Sequence, residues 1–280
     1  MRILVTNDDG IDTPGIGALA AAVAELGEVV VIAPNREFSG ASAAIGAIYR
    51  GAPTVERREF AGGLEAWAVD GPPALGVFYA SNGVFGEPFD LVVSGINPGA
   101  NTGRSVYYSG TVGACVAARN AGWSGVAVSQ HVSYGSIEGQ AFEDLLVNQK
   151  WHVAAEVGAV FVAALLADLP TIPVIANINV PNLELDEIVG WDLTEVADVA
   201  FGSTQSGGLE PIDGMPGHFD VKLSWERQAT EPPVSTDVGA VNNAIVAVSY
   251  LSPVTHQVGR TDLESAETAL SKLVSRLDAD

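Results

Sequence analysis

Two adjacent carboxylates, Asp8 and Asp9, follow directly on a short apolar run at residues 3–6, and Gly10 follows them. An apolar run of this length that stops at Asn-Asp-Asp-Gly is how a buried parallel strand ends. In open α/β sheets ligands bind beyond the carboxyl ends of the strands, so both acids stand where a site would lie. Side chains alternate along a strand, but beside a glycine the backbone can curl and bring two carboxylates together. Held close, they repel each other unless a cation sits between them. Oxygen ligands of this kind favour Mg²⁺, Mn²⁺ or Ca²⁺. The competing reading has Asp8 capping the next helix and Asp9 solvated, and the pair alone does not decide between the two.

Two further residues bear on the choice. Ser39, in Arg36-Glu37-Phe38-Ser39-Gly40-Ala41-Ser42, lies just past a second apolar run, and Asn97 lies just past a third. Each alone reads as a turn residue or cap. Together with Asp8 and Asp9 they follow three different strands on one edge of a sheet, which makes an open site for a hard cation with waters completing its shell. Next along the chain, Tyr108-Ser109-Gly110-Thr111-Val112-Gly113-Ala114 opens a strong helix. The free amides and positive dipole end of a helix start form a ready phosphate site, to which the hydroxyls of Ser109 and Thr111 would add donors. The simpler role is an N-cap by Ser109. Asn101, on the loop between, could donate its amide. The four histidines (His131, His152, His218, His256) show no metal-ligand spacing, and neither a Gly-x-Ser-x-Gly elbow nor a Walker loop is present. The five tryptophans read as core.

The elements that must position these residues alternate in type. Strands are expected at 3–6, 29–33, 47–49, 66–69, 90–94 and 125–129. Helices are expected at 16–26, opening near 74–79 after Pro72-Pro73, and at 111–120. A helix between two such apolar runs is a right-handed βαβ unit with parallel strands. The second half predicts a helix at 151–167, strands at 174–180 and 244–251, and an amphipathic helix at 262–277. Residues 200–231 are rich in Gly, Pro and Ser and read as hairpins and loops, in the manner of an arm that crosses to another subunit. The fold class is thus α/β with a doubly wound sheet, in a single domain with a C-terminal extension.

Composition excludes several partners. Of the 280 residues 48% are hydrophobic and 17% charged, which fits a folded globular chain. A formal net charge of -21 repels phosphate backbones, so no duplex nucleic acid is expected as a partner. A small phosphorylated molecule remains compatible, because a bound cation and amide donors reverse the field locally. The single cysteine, Cys115, precludes an intrachain disulfide, reads as a small core residue, and fits a reducing, cytoplasmic setting. No signal-peptide layout stands at the start, and the longest apolar stretch, 153–167, contains Glu156 and is short of a membrane span.

Taken in order, these segments resemble a known family. Met1-Arg2-Ile3-Leu4-Val5-Thr6-Asn7-Asp8-Asp9-Gly10-Ile11, with Pro14-Gly15-Ile16, resembles the amino terminus of the SurE survival-protein nucleotidases. Val31-Ile32-Ala33-Pro34 with Ser39-Gly40-Ala41-Ser42 is similar to a second motif, Val93 to Gly103 to a third, and Tyr108-Ser109-Gly110-Thr111-Val112 to a fourth. Asn177-Ile178-Asn179-Val180-Pro181 and Thr236-Asp237 also fit. The resemblance implies a Rossmann-like three-layer αβα fold with a mostly parallel sheet and a C-terminal hairpin and helix extension. Residues 1–130 would be the core carrying the metal site, and 200–280 would make oligomer contacts. It implies one divalent cation per subunit, Mg²⁺ or Mn²⁺ ahead of Ca²⁺, held by Asp8, Asp9, Ser39 and Asn97. It also implies phosphate release from nucleoside 5′- and 3′-monophosphates, some action on short polyphosphate, and a homodimer or homotetramer. In such a reaction Asn101, Ser109, Gly110 and Thr111 would grip the phosphate and Asp8 or Asp9 would handle the water. The chain departs from the family at Gly71-Pro72-Pro73-Ala74-Leu75-Gly76-Val77, where a Thr and an Asp are replaced by Pro72 and Leu75. The alternatives are a phosphatase with an aspartyl-phosphate intermediate on Asp8 and a non-catalytic nucleotide-binding protein.

Overall fold

A computed structural model describes residues 1–49, 51, 53–132, 146–199, 204–225, 231–252 and 268. The first strand, β1 (Arg2–Thr6), is buried on both faces after Arg2, which is why it reads as a continuous apolar run. Helix α1 (Pro14–Val23) starts on a proline, whose missing N–H is no loss in a first turn, and runs on into a short 3₁₀ turn at Ala24–Leu26. The chain returns through β2 (Glu28–Pro34), β3 (Val55–Arg58) and β4 (Glu65–Val69). Helix α2 (Pro73–Ser81), β5 (Leu91–Pro98), α3 (Gly110–Asn120), β6 (Ser124–Gln130), α4 (Trp151–Ala167) and β7 (Ile175–Val180) follow. The edge strand β8 (Gly190–Leu193) and the hairpin β9 (Thr204–Pro211) and β10 (Phe219–Trp225) precede a short helix, α5 (Asp237–Asn242), and β11 (Ile245–Tyr250).

The sheet has the strand order β3-β4-β2-β1-β5-β6-β7-β11-β8. The six strands from β4 to β7 are parallel; β3 and β11 run antiparallel to their neighbours β4 and β7. From β1 the chain winds outward through β2 and then back across to β5, so the topological switch point lies between β1 and β5. Alternate strand residues feed two cores. Ile3, Val5, Val31 and Val93 pack under α1 and α4, and Leu4, Val30, Ile32 and Val92 pack under α2 and α3. The result is the expected three-layer α/β arrangement, and β7, β8 and β11 continue the same sheet past residue 130. Among the described residues no helix is long and apolar enough to cross a membrane.

Two local expectations are corrected, three further elements are found, and one expectation falls outside the described residues. Residues expected as a strand at 47–49 form a 3₁₀ turn, Gly46–Tyr49. The open edge of β4 is taken by β3 instead, and Ile48 packs onto the α2–α3 core. Strands β3 and β8 and helix α5 were absent from the sequence reading; β8 is exposed throughout and α5 is under two turns long. Trp191, expected in the core, is 68% exposed on β8. The amphipathic helix expected at 262–277 lies outside the described residues. Cys115, by contrast, is a buried free thiol, and burial pushes its pKa up, as suits an inert core position.

The first turn of α1 is pressed against the end of β5. A Cβ on Gly15 would lie 2.3 Å from the Ile96 carbonyl oxygen and 3.2 Å from the Trp151 ring, whereas one on Gly17 meets nothing within 4 Å. The two substitutions should therefore have opposite signs. Gly15→Ala is expected to destabilise by roughly 1–3 kcal/mol through overpacking. Gly17→Ala should stabilise by up to about 1 kcal/mol through helix propensity. Thermal denaturation of the two variants side by side checks this.

Candidate metal and phosphate site

The turn after β1 is built by Asn7. Its Nδ2 donates to the Gly10 carbonyl at 3.0 Å and to Thr13 Oγ1 at 2.9 Å, while its Oδ1 accepts from the Gly10 N–H at 3.2 Å. Gly10 takes φ +114°, a conformation that favours glycine. Because Asn7 closes the turn and Thr13 stands at the N-cap position of α1, Asp8 is free of the capping role and Asp9 is not solvated. They are 3% and 4% exposed.

Asp8 reaches from β1 to the start of α3. Its Oδ2 accepts from the Gly110 N–H at 3.1 Å and its Oδ1 from the Thr111 hydroxyl at 2.5 Å. Burial raises its pKa, and the bonds from Thr111 and Gly110 pull the other way. The close approach needs a glycine, since a Cβ on Gly110 would lie 2.7 Å from Asp8 Oδ2. The anion seated at this helix start is thus the protein's own carboxylate. Asp9 has no such support. Both of its carboxylate oxygens are buried without a hydrogen-bond partner. Burial holds its pKa well above the ordinary range, and the charges of Asp8 and Glu37 push it further.

The remaining expected residues are placed as follows. The Phe38 N–H donates to the Asp8 carbonyl at 2.7 Å, which ties the Ser39 loop to the two acids. Ser39 itself is exposed, with its N–H donating to Glu37 Oε1 at 2.7 Å. Asn97 lies within the end of β5, on the strand that pairs with β1 across the switch point. Its Nδ2 donates to the Gly99 carbonyl at 2.6 Å, which fixes the amide's orientation. Ser109 caps α3 by accepting from the Val112 N–H at 3.1 Å, and its own proton remains to donate. Asn101 is drawn toward β6 and β7. Its Nδ2 donates to Ser129 Oγ at 2.9 Å, its N–H donates to Asn179 Oδ1 at 2.7 Å, and its carbonyl accepts from Asn177 and Asn179.

Two polar positions, Thr6 and Ser94, were given no role from the sequence, and a third, Asp237, entered only through the Thr236-Asp237 match. Thr6 and Ser94 are register partners on β1 and β5, and their hydroxyl oxygens are buried without partners just below the acids. Asp237, fully buried, accepts from the Gly103, Ala197 and Val238 N–H groups at 2.9, 2.9 and 2.8 Å. It clasps the Asn101 loop to the C-terminal part of the chain. The signal available for it was the Thr-Asp pair, which opens α5 with Thr236 as cap.

Two carboxylates with neutral oxygens around them suit a hard divalent cation. Among the described residues no three His, Cys, Asp or Glu side chains gather, so side-chain amide and hydroxyl oxygens would have to complete the set. The buried, unpartnered Asp9 carboxylate fits such an ion: without one, two adjacent acids stand buried and one of them has nothing to compensate it.

A model of the family described as Survival protein SurE matches residues 3–203. The chain belongs to that family. It is 39% identical over 196 residues to the 5′-nucleotidase SurE of Alkalilimnicola ehrlichii, covering 70% of this chain and 69% of that protein. It is 32% identical over 286 residues to the 5′/3′-nucleotidase SurE of Edwardsiella ictaluri, covering 99% and 98%. The crystal structure of the SurE protein from Aquifex aeolicus is similar with a TM-score of 0.72 at 26% identity, over 97% of this chain and all of that one. In the departure from the SurE pattern at 71–77, Leu75 has a packing role, while Pro72 in place of a Thr has no structural explanation. Leu75 is fully buried in the α2–α3 core, and a Cβ on Gly71 would lie 2.5 Å from its Cδ2.

A cation at Asp9 should register in stability. In metal-free protein the raised pKa of Asp9 means that its contribution is greatest when it is protonated and is lost as pH rises through that pKa. The gain on adding Mg²⁺ or Mn²⁺ should grow over the same span, to about 2.7 kcal/mol at a hundredfold excess over Kd. Asp9→Asn should raise the melting temperature of the metal-free protein at pH 8 and abolish the response to metal. A thermal-shift series across pH, with each metal and with EDTA, measures both.

Proposed function

We propose that this SurE-family chain is a metal-dependent phosphomonoesterase that releases phosphate from nucleoside 5′-monophosphates, with 3′-monophosphates as a second substrate set. The observation that carries the reading is the buried Asp9 carboxylate with neither oxygen partnered, beside an Asp8 held by the start of α3. The names of the A. ehrlichii and E. ictaluri relatives support it. Asp8, Asp9, Ser39 and Asn97 would hold one divalent cation, Mg²⁺ or Mn²⁺ ahead of Ca²⁺. When bound, that ion supplies Lewis-acid stabilisation of the phosphoryl group and lowers the pKa of an attacking water.

The chain's own groups divide the remaining work. The Gly110 N–H and the Thr111 hydroxyl hold Asp8 in place, so their part in phosphate binding is through that carboxylate. The Ser109 proton and the second Asn101 amide hydrogen are the donors left for phosphate oxygens. Asp9, neither of whose oxygens has a hydrogen-bond partner, would be the acid that takes a proton from water. The lone buried thiol supports a cytoplasmic setting.

The test is phosphate release from a panel of nucleoside monophosphates with Mg²⁺, Mn²⁺ or EDTA. Release should require metal and fall by about 100-fold or more in kcat for Asp9→Asn. Thr111→Val frees Asp8 Oδ1 and should weaken metal binding by roughly 10- to 100-fold, as loss of a ligand's supporting bond does. Metal-independent release from folded protein would remove the reading.

Self-association as a homodimer or homotetramer is part of the same proposal. The register of the hairpin puts Leu209, Pro211, Phe219, Val221 and Leu223 on one face, and the large apolar residues among them are exposed. An apolar sheet face of this kind marks a contact surface. The double variant Val221→Lys, Leu223→Lys should lower the mass measured by light scattering to that of a smaller assembly.

A further inference from the structure

Beside the Ser39 loop lies a cavity of about 550 Å³ lined by Arg36, Phe38, Ala41, Asp70, Gly71 and Pro72 among others. We propose that this cavity holds the base of the substrate and selects 6-oxopurines, guanine and hypoxanthine, over adenine; the inference rests on the nucleotidase reading for its link to turnover. The location fits. Phe38 is hydrogen-bonded through its N–H to the Asp8 carbonyl, so the cavity begins one residue from the metal site. Its size lies within the range of small-molecule sites.

The walls are set by the sheet. Pro34 on β2 pairs with Val69 on β4, so Arg36 and Asp70 leave neighbouring strands at the same edge. Arg36 Nη1 donates to Asp70 Oδ1 at 2.8 Å, and the guanidinium lies over the Phe38 ring, 4.6 Å from its centroid. The arginine is thus pinned between a ring and a carboxylate. With side chains 62% and 45% exposed, the pair still presents N–H donors and Asp70 Oδ2 to an incoming group.

Charge argues against a second phosphate here. Asp70 balances Arg36, so the wall offers a pattern of donors and acceptors in place of a net field. A base is neutral and has an aromatic face for the Phe38–Arg36 stack, on which a purine covers more area than a pyrimidine. A 6-oxopurine has its O6 acceptor next to the N1–H donor. In one pose O6 accepts from Arg36 while N1–H donates to Asp70 Oδ2. Adenine in that pose turns its amino hydrogens toward the guanidinium and its N1 lone pair toward the carboxylate. A well-placed pair of this kind discriminates by roughly tenfold.

The test pairs turnover with binding. Values of kcat/KM for GMP, IMP, AMP and CMP, each relative to p-nitrophenyl phosphate, which has no base, should favour GMP and IMP over AMP by about tenfold. Arg36→Met keeps an aliphatic stem over Phe38 and removes the donors; Asp70→Ala removes the acceptor. Both should reduce the GMP-to-AMP ratio to near one. Inosine and adenosine binding, followed by ligand-observed NMR, reads the cavity without turnover, and inosine should bind more tightly in wild type alone. Equal treatment of inosine and adenosine, or a preference that survives both variants, overturns the proposal. Inosine preference in a protein that releases no phosphate would uphold the base cavity and remove the nucleotidase reading.

Discussion

Two adjacent carboxylates buried at a sheet edge are the constraint on which the rest of the structure depends. Burial disfavours both charges, and the charge of Asp8 raises the pKa of Asp9 further. The chain compensates one of them from within. The start of α3 gives Asp8 a backbone N–H and a hydroxyl, with the helix dipole aligned behind them. Asp9 receives nothing equivalent. That asymmetry follows from one close approach: Gly110 lets the helix come near enough to touch Asp8 and not its neighbour.

The scaffold repeats this arrangement of close approach at the same edge. Gly15 seats α1 on the Ile96 carbonyl beside Asn97. Gly113 seats α3 against the Ser42 carbonyl, where a Cβ would lie 2.2 Å away, and this holds the Ser39 loop to the helix that holds Asp8. Ser42 N–H to Tyr108 carbonyl, at 3.1 Å, fastens the same contact. Asp237 then anchors the Asn101 loop from the far end of the chain. Four loops therefore meet on rigid backbone contacts, and only short polar side chains project between them.

Much of this was legible in the sequence, for identifiable reasons. Buried parallel strands are apolar on both faces, so β1, β2, β5, β6 and β7 announced themselves, and Asp8, Asp9, Ser39 and Asn97 followed from where those strands stop. What escaped depended on tertiary context. The short apolar run at 47–49 carries no information on whether a strand edge is free to receive it, and β3 had taken that edge. Strand β8 has no buried face to give a pattern, which also misplaced Trp191. The helix start at Ser109-Gly110-Thr111 was recognisable as an anion site; that the anion is Asp8, 102 residues away from Gly110, is a fact of packing. Asn101 looked like a free amide donor, and only the placement of Ser129 and Asn179 shows how fully it is engaged.

The chain's acidity adds a final condition. With 34 acidic and 13 basic residues, long-range attraction of a phosphorylated substrate is not available from the surface. Among the described residues most basic side chains are engaged in ion pairs, among them Arg2 with Glu28, Arg36 with Asp70, Arg58 with Asp12, Arg104 with Asp198 and Lys150 with Glu184. A cation at the Asp8–Asp9 edge would give an arriving substrate phosphate a local positive potential. In the proposed site, metal and substrate binding would be coupled by electrostatics, through the short-range field of the ion beside two carboxylates. A base held by an ion pair of zero net charge suits the same economy, because it adds recognition without adding a competing cation.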